Sequence, residues 1–370
     1  MPAVRTVLSV VGARPNFMKI APIVAELQRR GDEFASVMVH TGQHYDDAMS
    51  SLFIEQLGVG PPEYMLGVGS GSHAQQTARV MERLEPVLLE VEPDVVLVPG
   101  DVNSTLAASL VASKLSIPIG HVEAGLRSFD RSMPEEINRM VADAVSDLLF
   151  VHSPEAVENL LREGVSLEKV HRVGNTMIDT LVAMSDRIDA TAAAAELGLA
   201  AGEYVVVTLH RPTLVDGPLL LDAIQALSHI AEQVPIVFPV HPRTRAALTA
   251  QGLEPGDRRL RLLEPMGYFE FLALVKGAAG VITDSGGIQE ETTFLGIPCF
   301  TLRDHTERPV TCSIGTNTLL GLEPERILEV PELIRRAESA GSIPEGWDGH
   351  AAARVVEVLA RASLPLAAPI

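Results

Sequence analysis

Short apolar runs alternate along this chain with segments of helical spacing, and this alternation restricts the folds that the chain can adopt. Residues 4–12 form a mainly apolar run rich in β-branched side chains, which predicts a strand buried on both faces of a sheet. A glycine turn follows, and residues 17–30 then place apolar side chains at helical intervals. A strand, a turn and a helix in this order predict the first unit of a βαβ fold.

The same alternation continues to about residue 174 and restarts after about residue 200. In the first stretch, further strands are predicted at residues 34–40, 95–99, 117–122 and 148–151. In the second stretch, strands are predicted at residues 204–209, 236–240, 261–263, 280–283 and 298–302. One helix to about residue 200 is expected between the stretches, and a last helix is expected at residues 348–362. We therefore predict an α/β protein with two Rossmann-like, doubly wound domains at residues 1–175 and 176–354.

The composition restricts the partners of the chain. Its formal net charge is −19 at pH 7, which argues against a nucleic-acid partner because phosphate backbones are bound by basic surfaces. A small anionic ligand held by a few local cations remains compatible with this charge. Cys299 and Cys312 form no CxxC motif and no disulfide framework. The chain shows no signal-peptide pattern and no apolar run of membrane-spanning length, so we expect a cytoplasmic protein without a membrane partner.

Residues 121–143, HVEAGLRSFDRSMPEEINRMVAD, are the most informative polar segment of the first stretch. Glu123 ends a predicted buried strand, where a carboxylate is costly unless it is paired, hydrated or functional. Pro134 is well placed to begin a helix. Glu135 and Arg139 are four residues apart and therefore share one face of that helix. A capped helix with an ordinary ion pair is the alternative explanation for these last two residues.

Other polar residues of the first stretch also follow predicted strands. Arg14 and Lys19 lie near the start of the first predicted helix, where anions are favoured, although they could equally be ordinary surface cations. Asp101 lies just past a strand end and could be either a ligand-facing carboxylate or a turn residue. The dinucleotide motif GxGxxG is absent. His40 and His44 are four residues apart but span a strand–loop junction, so we expect no metal site there.

The strand ends of the second stretch carry cations and a glycine turn. These groups are His210, Arg211, His241, Arg243 and the turn Ser285-Gly286-Gly287. Glycines allow backbone N–H groups to approach a ligand closely, and a helix amino end attracts an anion. A plain turn between a strand and a helix would explain the glycines equally. Anionic strand ends in one domain and cationic ones in the other would suit a nucleotide-linked sugar, with the sugar in a cleft between the domains.

The same residues belong to a set of motifs that resembles a known family. In chain order the motifs are VVGARPNFMKIAP, TGQHYDD, PGDVNSTLA, HVEAGLRS, PEEINR, VGNTMIDT, TLHRP, TDSGGIQEE and RDHTERP. Over nearly the whole chain, they resemble the bacterial, non-hydrolysing UDP-N-acetylglucosamine 2-epimerases. The resemblance implies a GT-B-like arrangement of two Rossmann-like domains, with residues 355–370 returning to the first domain.

The resemblance also implies a reaction. Family members interconvert UDP-N-acetylglucosamine (UDP-GlcNAc) and UDP-N-acetylmannosamine (UDP-ManNAc) by eliminating UDP to give 2-acetamidoglucal and adding it back. It implies no cofactor and no metal, a UDP-sugar as substrate, a homodimer, and a role in the synthesis of cell-surface polysaccharides. The hydrolysing relatives, which release N-acetylmannosamine and UDP, and the GT-B glycosyltransferases are the enzymatic alternatives. A non-catalytic sensor of sugar nucleotides is a further one.

Residue roles follow from the matching positions. The acid/base carboxylates would be Asp101, Glu123 and Glu135, and the resemblance does not assign the C2 proton to one of them. Arg139 and His210 match positions that are important for activity. The nucleotide-binding positions would be Arg14, Lys19, Arg211, His241, Phe271, Ser285, Gly286, Gly287 and Glu291. Among these, Phe271 would lie near uracil and Glu291 would accept a hydrogen bond from ribose.

Some positions depart from the family pattern. The HR of TLHRP is followed by PTL, whereas the best-known members have arginine, glutamate and asparagine there. Gln43 and His44 match a second UDP-GlcNAc site that activates those members. Asp46 and Gln75 stand where that site has a glutamine and an arginine. We therefore expect allosteric activation by UDP-GlcNAc to be weak or absent.

Overall fold

The computed structural model describes residues 4–42, 57–252, 259–336 and 341–362. The chain divides into two compact units, of which unit 1 contains residues 1–183 and 345–370 and unit 2 contains residues 184–344. The limits predicted from the sequence are 175/176 and 354/355. The limits differ because the segments 176–183 and 345–354 pack within unit 1.

Unit 1 is built on a seven-stranded sheet in which every strand pair is parallel. Its strands are β1 (Arg5–Val11), β2 (Phe34–His40), β3 (Tyr64–Met65), β4 (Val95–Pro99), β5 (Ile119–Val122), β6 (Leu148–Val151) and β7 (Val170–Arg172). They lie in the order β3-β2-β1-β4-β5-β6-β7. The order reverses between β1 and β4, where Leu8 pairs with Val37 on one side and Val96 on the other.

Six helices of unit 1 are described before the start of unit 2, and the first five lie between the strands, whereas the sixth follows β7. They are α1 (Arg14–Arg29), α2 (His73–Val91), α3 (Asn103–Lys114), α4 (Pro134–Val145), α5 (Pro154–Arg162) and α6 (Thr176–Ala183). A 3₁₀ turn at Leu167–Lys169 precedes β7. The central strands are buried on both faces, which is why their sequences are nearly continuous apolar runs.

Unit 2 contains a six-stranded sheet, also with parallel strand pairs throughout. Its strands are β8 (Val205–Thr208), β9 (Ile236–Pro239), β10 (Leu260–Leu263), β11 (Gly280–Thr283), β12 (Cys299–Thr301) and β13 (Asn317–Leu319). Their order is β10-β9-β8-β11-β12-β13. This is the strand order of the Rossmann fold, and it reverses between β8 and β11.

Short helices surround the second sheet. They are α7 (Ser185–Asp189), α8 (Ala193–Glu196), α9 (Pro212–Val215), α10 (Leu219–Ala231), α11 (Pro242–Ala250), α12 (Tyr268–Lys276), α13 (Gly286–Leu295), α14 (Val310–Ser313) and α15 (Val330–Arg336). A 3₁₀ helix at Pro324–Glu329 precedes α15. In the described part of the chain, no helix is long and apolar enough to cross a membrane.

The single helix expected to reach residue 200 is instead three helices, α6, α7 and α8. The break after α6 coincides with the limit of unit 1 at residue 183. Within unit 2, α7 and α8 pack against α12, where Asp189 forms an ion pair with Lys276. Tertiary contacts therefore override the helical tendency of this alanine-rich segment.

The last helix, α16 (Ala351–Arg361), belongs to unit 1. It packs against α1, and its first turn is held by Asp179 of α6. The Asp179 carboxylate accepts the backbone N–H groups of Ala351 and Ala352 at 3.1 and 2.7 Å. Helix amino ends need such acceptors because their first N–H groups have no partner within the helix.

Thr180 supplies a hydrogen-bond donor that is missing within α1. Pro22 lies inside this helix and has no N–H, so the carbonyl of Met18 loses its usual partner four residues on. The buried hydroxyl of Thr180 donates to that carbonyl at 2.6 Å. The helix therefore keeps its hydrogen bonding although a proline interrupts it.

Thr180→Val should destabilise unit 1, because valine has nearly the same shape but leaves the Met18 carbonyl buried without a donor. We expect the free energy of unfolding to fall by about 1–3 kcal/mol, measured by urea denaturation. Thr180→Ser is the matched control, since it keeps the hydroxyl, and should lose less. An equal loss in both variants would show that the methyl group, and not the hydrogen bond, accounts for the effect.

Candidate active site

The loops and helices that follow β1, β4 and β5 carry the candidate groups of unit 1. Ligands of open parallel sheets bind outside the carboxyl ends of the strands, where the strand order reverses. Lys19 lies in α1, Asp101 lies two residues after β4, and Glu123 directly follows β5. The fold therefore brings groups that are far apart in sequence to one edge of the sheet.

Lys19 and Glu123 form a buried ion pair, with side chains that are 7% and 8% exposed. Gly100 lies against this pair, and a β-carbon there would be 2.7 Å from Lys19 Nζ. Glu123 has a backbone φ of +71°, a left-handed conformation that costs a non-glycine residue roughly 1–2 kcal/mol. Strain of this kind is concentrated at functional sites, where the surrounding structure imposes it. The geometry thus marks Glu123 as more than a strand-end residue.

A small pocket opens beside this ion pair. Its lining includes Lys19, Glu123, His152, Asn175 and Thr176. Asn175 and Thr176 come from the VGNTMIDT motif, which the sequence analysis quoted without assigning its residues to the site. They lie where β7 leads into α6 and are both buried. Their position after a strand end was the signal that could have identified them.

Arg139 in α4 connects two carboxylates. Its Nε and Nη2 atoms donate to Asp101 Oδ2 at 3.1 and 2.7 Å, and its Nη1 atom donates to Glu136 Oε2 at 2.8 Å. The sequence spacing suggested Glu135 as the helix partner, but Arg139 pairs with Glu136, because residues three apart also meet on a helix face. Glu135 lies half-buried in the first turn of the same helix. The guanidinium therefore orients Asp101 at the strand end.

Glu136 also fixes the loop between β5 and α4. Its carboxylate accepts the backbone N–H groups of Ser128 and Phe129 at 2.9 Å each, and the Ser128 hydroxyl at 2.9 Å. Phe129 has a φ of +60° and is 74% exposed. A buried carboxylate thus holds a strained loop conformation, and it was not among the residues predicted from the sequence.

His121 and Asp143 form a buried network behind the same loop. Asp143 accepts hydrogen bonds from His121 Nδ1 at 2.6 Å and from the backbone N–H of Gly125 at 3.1 Å, and it forms an ion pair with Arg127 at 2.7 Å. Burial alone would raise the pKa of Asp143, but the charges of His121 and Arg127 outweigh it and hold the pKa below its usual range. His121 Nε2 donates to the Gly100 carbonyl at 2.8 Å. The network therefore fixes the peptide that precedes Asp101.

The strand ends of unit 2 carry the second group of candidates. His210 and Arg211 follow β8, His241 follows β9, and Ser285 follows β11. The rings of His210 and His241 have centroids 5.6 Å apart. Burial, followed by the neighbouring His210, holds the pKa of His241 below its usual range. His241 is therefore mainly neutral near pH 7 and can offer a hydrogen bond without a full charge.

The amino end of α13 is formed by Ser285, Gly286 and Gly287. A β-carbon at Gly286 would lie 2.7 Å from Arg308 Nη1, so the glycine allows the guanidinium to approach the helix. The N–H groups in the first turn of a helix and a nearby guanidinium both attract anions. This end of the helix is thus suited to a phosphate group.

Arg303 and Arg308 come from RDHTERP, and the sequence analysis assigned neither arginine to the site. Arg303 forms a two-bond ion pair with Glu307 at 2.6 and 2.9 Å, and Arg308 Nε lies 2.9 Å from Glu290 Oε1. Burial and the charge of Arg303 hold the pKa of Arg211 below its usual range. Cations are therefore concentrated beside the amino end of α13. Two arginines in a polar loop after a strand end were the available sequence signal.

The structure describes some of the remaining predicted residues and not others. Glu291 is buried in α13, and its Oε1 atom accepts a hydrogen bond from the Tyr268 hydroxyl at 2.9 Å. Phe271 is half-buried in α12 and packs against the core of unit 2. The side chain of Arg14 and the residues Gln43 and His44 lie outside the described part of the chain.

Residues 25–360 match the family model described as UDP-N-acetylglucosamine 2-epimerase. The chain is 40% identical over 359 residues to the UDP-N-acetylglucosamine 2-epimerase of Methanococcus maripaludis, which covers 95% of this chain and 97% of that protein. It is 41% identical over 362 residues to the UDP-2,3-diacetamido-2,3-dideoxy-D-glucuronate 2-epimerase of Pseudomonas aeruginosa, which covers 96% of this chain and 99% of that protein.

The structure is similar to that of UDP-GlcNAc 2-epimerase from Methanocaldococcus jannaschii, solved in complex with UDP-GlcNAc and UDP. The TM-score is 0.87 at 38% identity, over 96% of this chain and 100% of that chain. The predicted fold class, two Rossmann-like α/β domains of the GT-B kind, is confirmed by this similarity and by the two parallel sheets.

Asp143→Asn should reduce stability in a pH-dependent manner. Because the folded-state pKa of Asp143 is depressed, its charged form contributes stability above the ordinary pKa of about 3.9. This contribution is lost as the pH falls through the lower, folded value. We expect the variant to unfold at a lower urea concentration at about pH 6, with a smaller difference from the unsubstituted protein at about pH 3. A difference that grows towards acid pH would contradict this assignment.

Proposed function

The chain belongs to the UDP-N-acetylglucosamine 2-epimerase family, and we propose that it interconverts UDP-GlcNAc and UDP-ManNAc by elimination and re-addition of UDP. The observation that carries this proposal is the match to the family over residues 25–360. Of the residues that the family resemblance assigns to catalysis, Asp101, Glu123 and His210 follow the ends of strands, and Glu135 and Arg139 lie in α4. The enzyme is accordingly an isomerase.

The chemistry of the substrate explains why cations are needed. The C2 proton of the sugar is weakly acidic because no carbonyl group lies directly beside that carbon. Elimination therefore depends on departure of the diphosphate from C1, and groups that stabilise the departing charge contribute much of the rate. In unit 2, we assign this role to Arg211, Arg308 and the amino end of α13, with His210.

We assign the acid/base role to the carboxylates of unit 1. Epimerisation removes a proton from one face of C2 and returns one to the other, so two groups on opposite faces are required. Asp101, Glu123 and Glu135 are the candidates. Lys19 beside Glu123 and Arg139 beside Asp101 favour the charged carboxylates, as a proton acceptor requires.

Proton NMR in D₂O tests the reaction directly. With UDP-GlcNAc as substrate, we expect UDP-ManNAc to appear and deuterium to enter C2 of both epimers. The proton taken from C2 is held by an enzyme group while the glycal is bound, and it exchanges there with the solvent before C2 is protonated again. Free N-acetylmannosamine and UDP without UDP-ManNAc would instead establish the hydrolysing reaction. A spectrum without C2 exchange, also with UDP-ManNAc added, would rule out both substrates.

Asp101→Asn and Glu123→Gln should lower the turnover number by about 10²–10⁴-fold, the range expected for a positioned acid or base. UDP binding, measured by isothermal titration calorimetry, should change little because both residues act on the sugar. Glu158→Gln is a matched control, since it neutralises an exposed carboxylate that pairs only with Arg162 among the described residues. Loss of UDP binding in the first two variants would contradict their catalytic role.

The Pseudomonas aeruginosa relative supports a second candidate substrate. That protein is named for a UDP-2,3-diacetamido-2,3-dideoxy-D-glucuronate, and its identity to this chain, 41%, is within one percentage point of that of the Methanococcus maripaludis UDP-N-acetylglucosamine 2-epimerase. Epimerisation at C2 would use the same groups for either sugar. Comparing kcat/KM for the two substrates decides between them, and a higher value for the diacetamido sugar would replace the first assignment.

The homodimer and the cytoplasmic location expected from the sequence remain predictions. Sedimentation of the purified protein would measure the first. The allosteric expectation for Gln43 and His44 also remains a prediction. Strongly sigmoidal rates with UDP-ManNAc alone, relieved by a trace of UDP-GlcNAc, would contradict it.

A further inference from the structure

Asp284 is a fully buried carboxylate at the end of β11. Its Oδ2 atom accepts the backbone N–H groups of His210 and Arg211 at 2.8 and 2.7 Å. Its Oδ1 atom lies 2.9 Å from His210 Nδ1. This distance is that of an ion pair, although the N–H does not point directly at the oxygen. One carboxylate therefore holds both the backbone and the ring of His210.

Strand pairing places these residues together. Thr208 at the end of β8 is the partner of Thr283 at the end of β11, so the chain segments that follow the two strands leave the sheet side by side. This is the position where the strand order of unit 2 reverses. His210 thus stands where a ligand of this domain is expected, and Asp284 lies buried directly beneath it.

Asp284 is held in its charged form. Burial alone would raise the pKa of Asp284, but the contact with His210 and the two backbone N–H groups outweigh burial and keep the pKa below its usual range. A buried carboxylate accepts hydrogen bonds only, so the ring nitrogen that faces it must carry hydrogen. Nδ1 is therefore protonated, whether the ring is neutral or cationic.

The opposite edge of the ring then faces outwards. The His210 side chain is 37% exposed, and the ring of His241 lies against it at a tilt of 42°. With Nδ1 turned to Asp284, Nε2 is the nitrogen left to meet a ligand. The protonation of one ring nitrogen is set by the hydrogen bond of the other, so Asp284 determines the state in which Nε2 is presented.

We propose that Asp284 is a positioning residue, which fixes the orientation of His210 and its Nδ1–H tautomer so that Nε2 contacts the substrate. This inference rests on the proposed function of His210 in the reaction. Asp284 itself does not touch the substrate. It acts through the ring, and a replacement that keeps the acceptor for the backbone N–H groups of His210 and Arg211 should therefore affect turnover mainly through His210.

Asp284→Asn is the direct test. The amide oxygen can still accept both backbone N–H groups, but the NH₂ group now faces Nδ1 and makes it an acceptor, which moves the ring hydrogen to Nε2. We expect kcat to fall by about 10²–10⁴-fold with KM almost unchanged, because substrate contacts in the ground state remain. Asp222→Asn, an exposed aspartate of unit 2, is the matched control and should retain full activity.

A double-mutant cycle separates positioning from a purely structural role. In a His210→Asn background, Asp284→Asn should cost no more than about twofold further in kcat, since the residue through which it acts is gone. If Asp284→Asn lowers kcat in this background by the same factor as in the unsubstituted protein, Asp284 supports the fold and not the ring, and the proposal is wrong.

Nitrogen-15 NMR of the His210 ring gives a readout that does not depend on activity or on a variant that folds. In the unsubstituted protein, the neutral ring should show the Nδ1–H tautomer, and a neutral Nε2–H ring would overturn the proposal. If the tautomer is Nδ1–H but no UDP-sugar is epimerised, the proposed function fails while the role of Asp284 in orienting the ring stands. If the enzyme is active and Asp284→Asn keeps full turnover, the inference alone fails.

Discussion

Buried carboxylates that accept backbone N–H groups determine how this protein holds its functional loops. Asp284 binds the segment after β8, Glu136 and Asp143 bind the loop after β5, and Asp179 binds the first turn of α16. Loop N–H groups at a sheet edge have no strand partner, and leaving them buried and unbonded costs about 1–3 kcal/mol each. A carboxylate offers several acceptor positions at once, so a single side chain can fix a segment of several residues.

These carboxylates would be costly without compensation, and three of the four have a basic group beside them. Arg139 pairs with Glu136, His121 and Arg127 pair with Asp143, and His210 lies beside Asp284. Removing one partner of such a buried pair leaves an uncompensated charge, which is more damaging than removing both. The functional loops are therefore held in place by groups other than the reacting ones. Precise placement of a few atoms is what the proposed elimination of the diphosphate would require.

The sequence predicted the sheets well and the side-chain partners less well. Parallel strands buried on both faces leave nearly continuous apolar runs, so β4, β6 and β11 were located to the residue. The short edge strands β3, β7 and β13 were missed because two or three residues carry no periodicity. The carboxylates Glu123 and Asp101 were predicted as candidates from their position after a strand, and the structure places both at strand ends. Glu136, Asp284 and Arg308 were not, because only the folded chain shows which groups they meet. Glu136 binds the loop at Ser128 and Phe129, Asp284 binds the segment after β8, and Arg308 pairs with Glu290.

This chain has nearly the same sequence identity to two relatives that are named for different sugars. This indicates that catalysis and the choice of substrate depend on different groups of the protein. The C2 proton, the C1–O bond and the UDP group are common to both substrates, whereas the substituents at C3 and C6 differ. Groups that act on the common atoms can stay the same in both kinds of enzyme, as can the supports beneath them, such as Asp284 and Arg139. Discrimination must then come from side chains that face C3 and C6. A buried polar group that lacks its partner rejects the wrong sugar more strongly than a difference in apolar volume does, so those side chains should be polar.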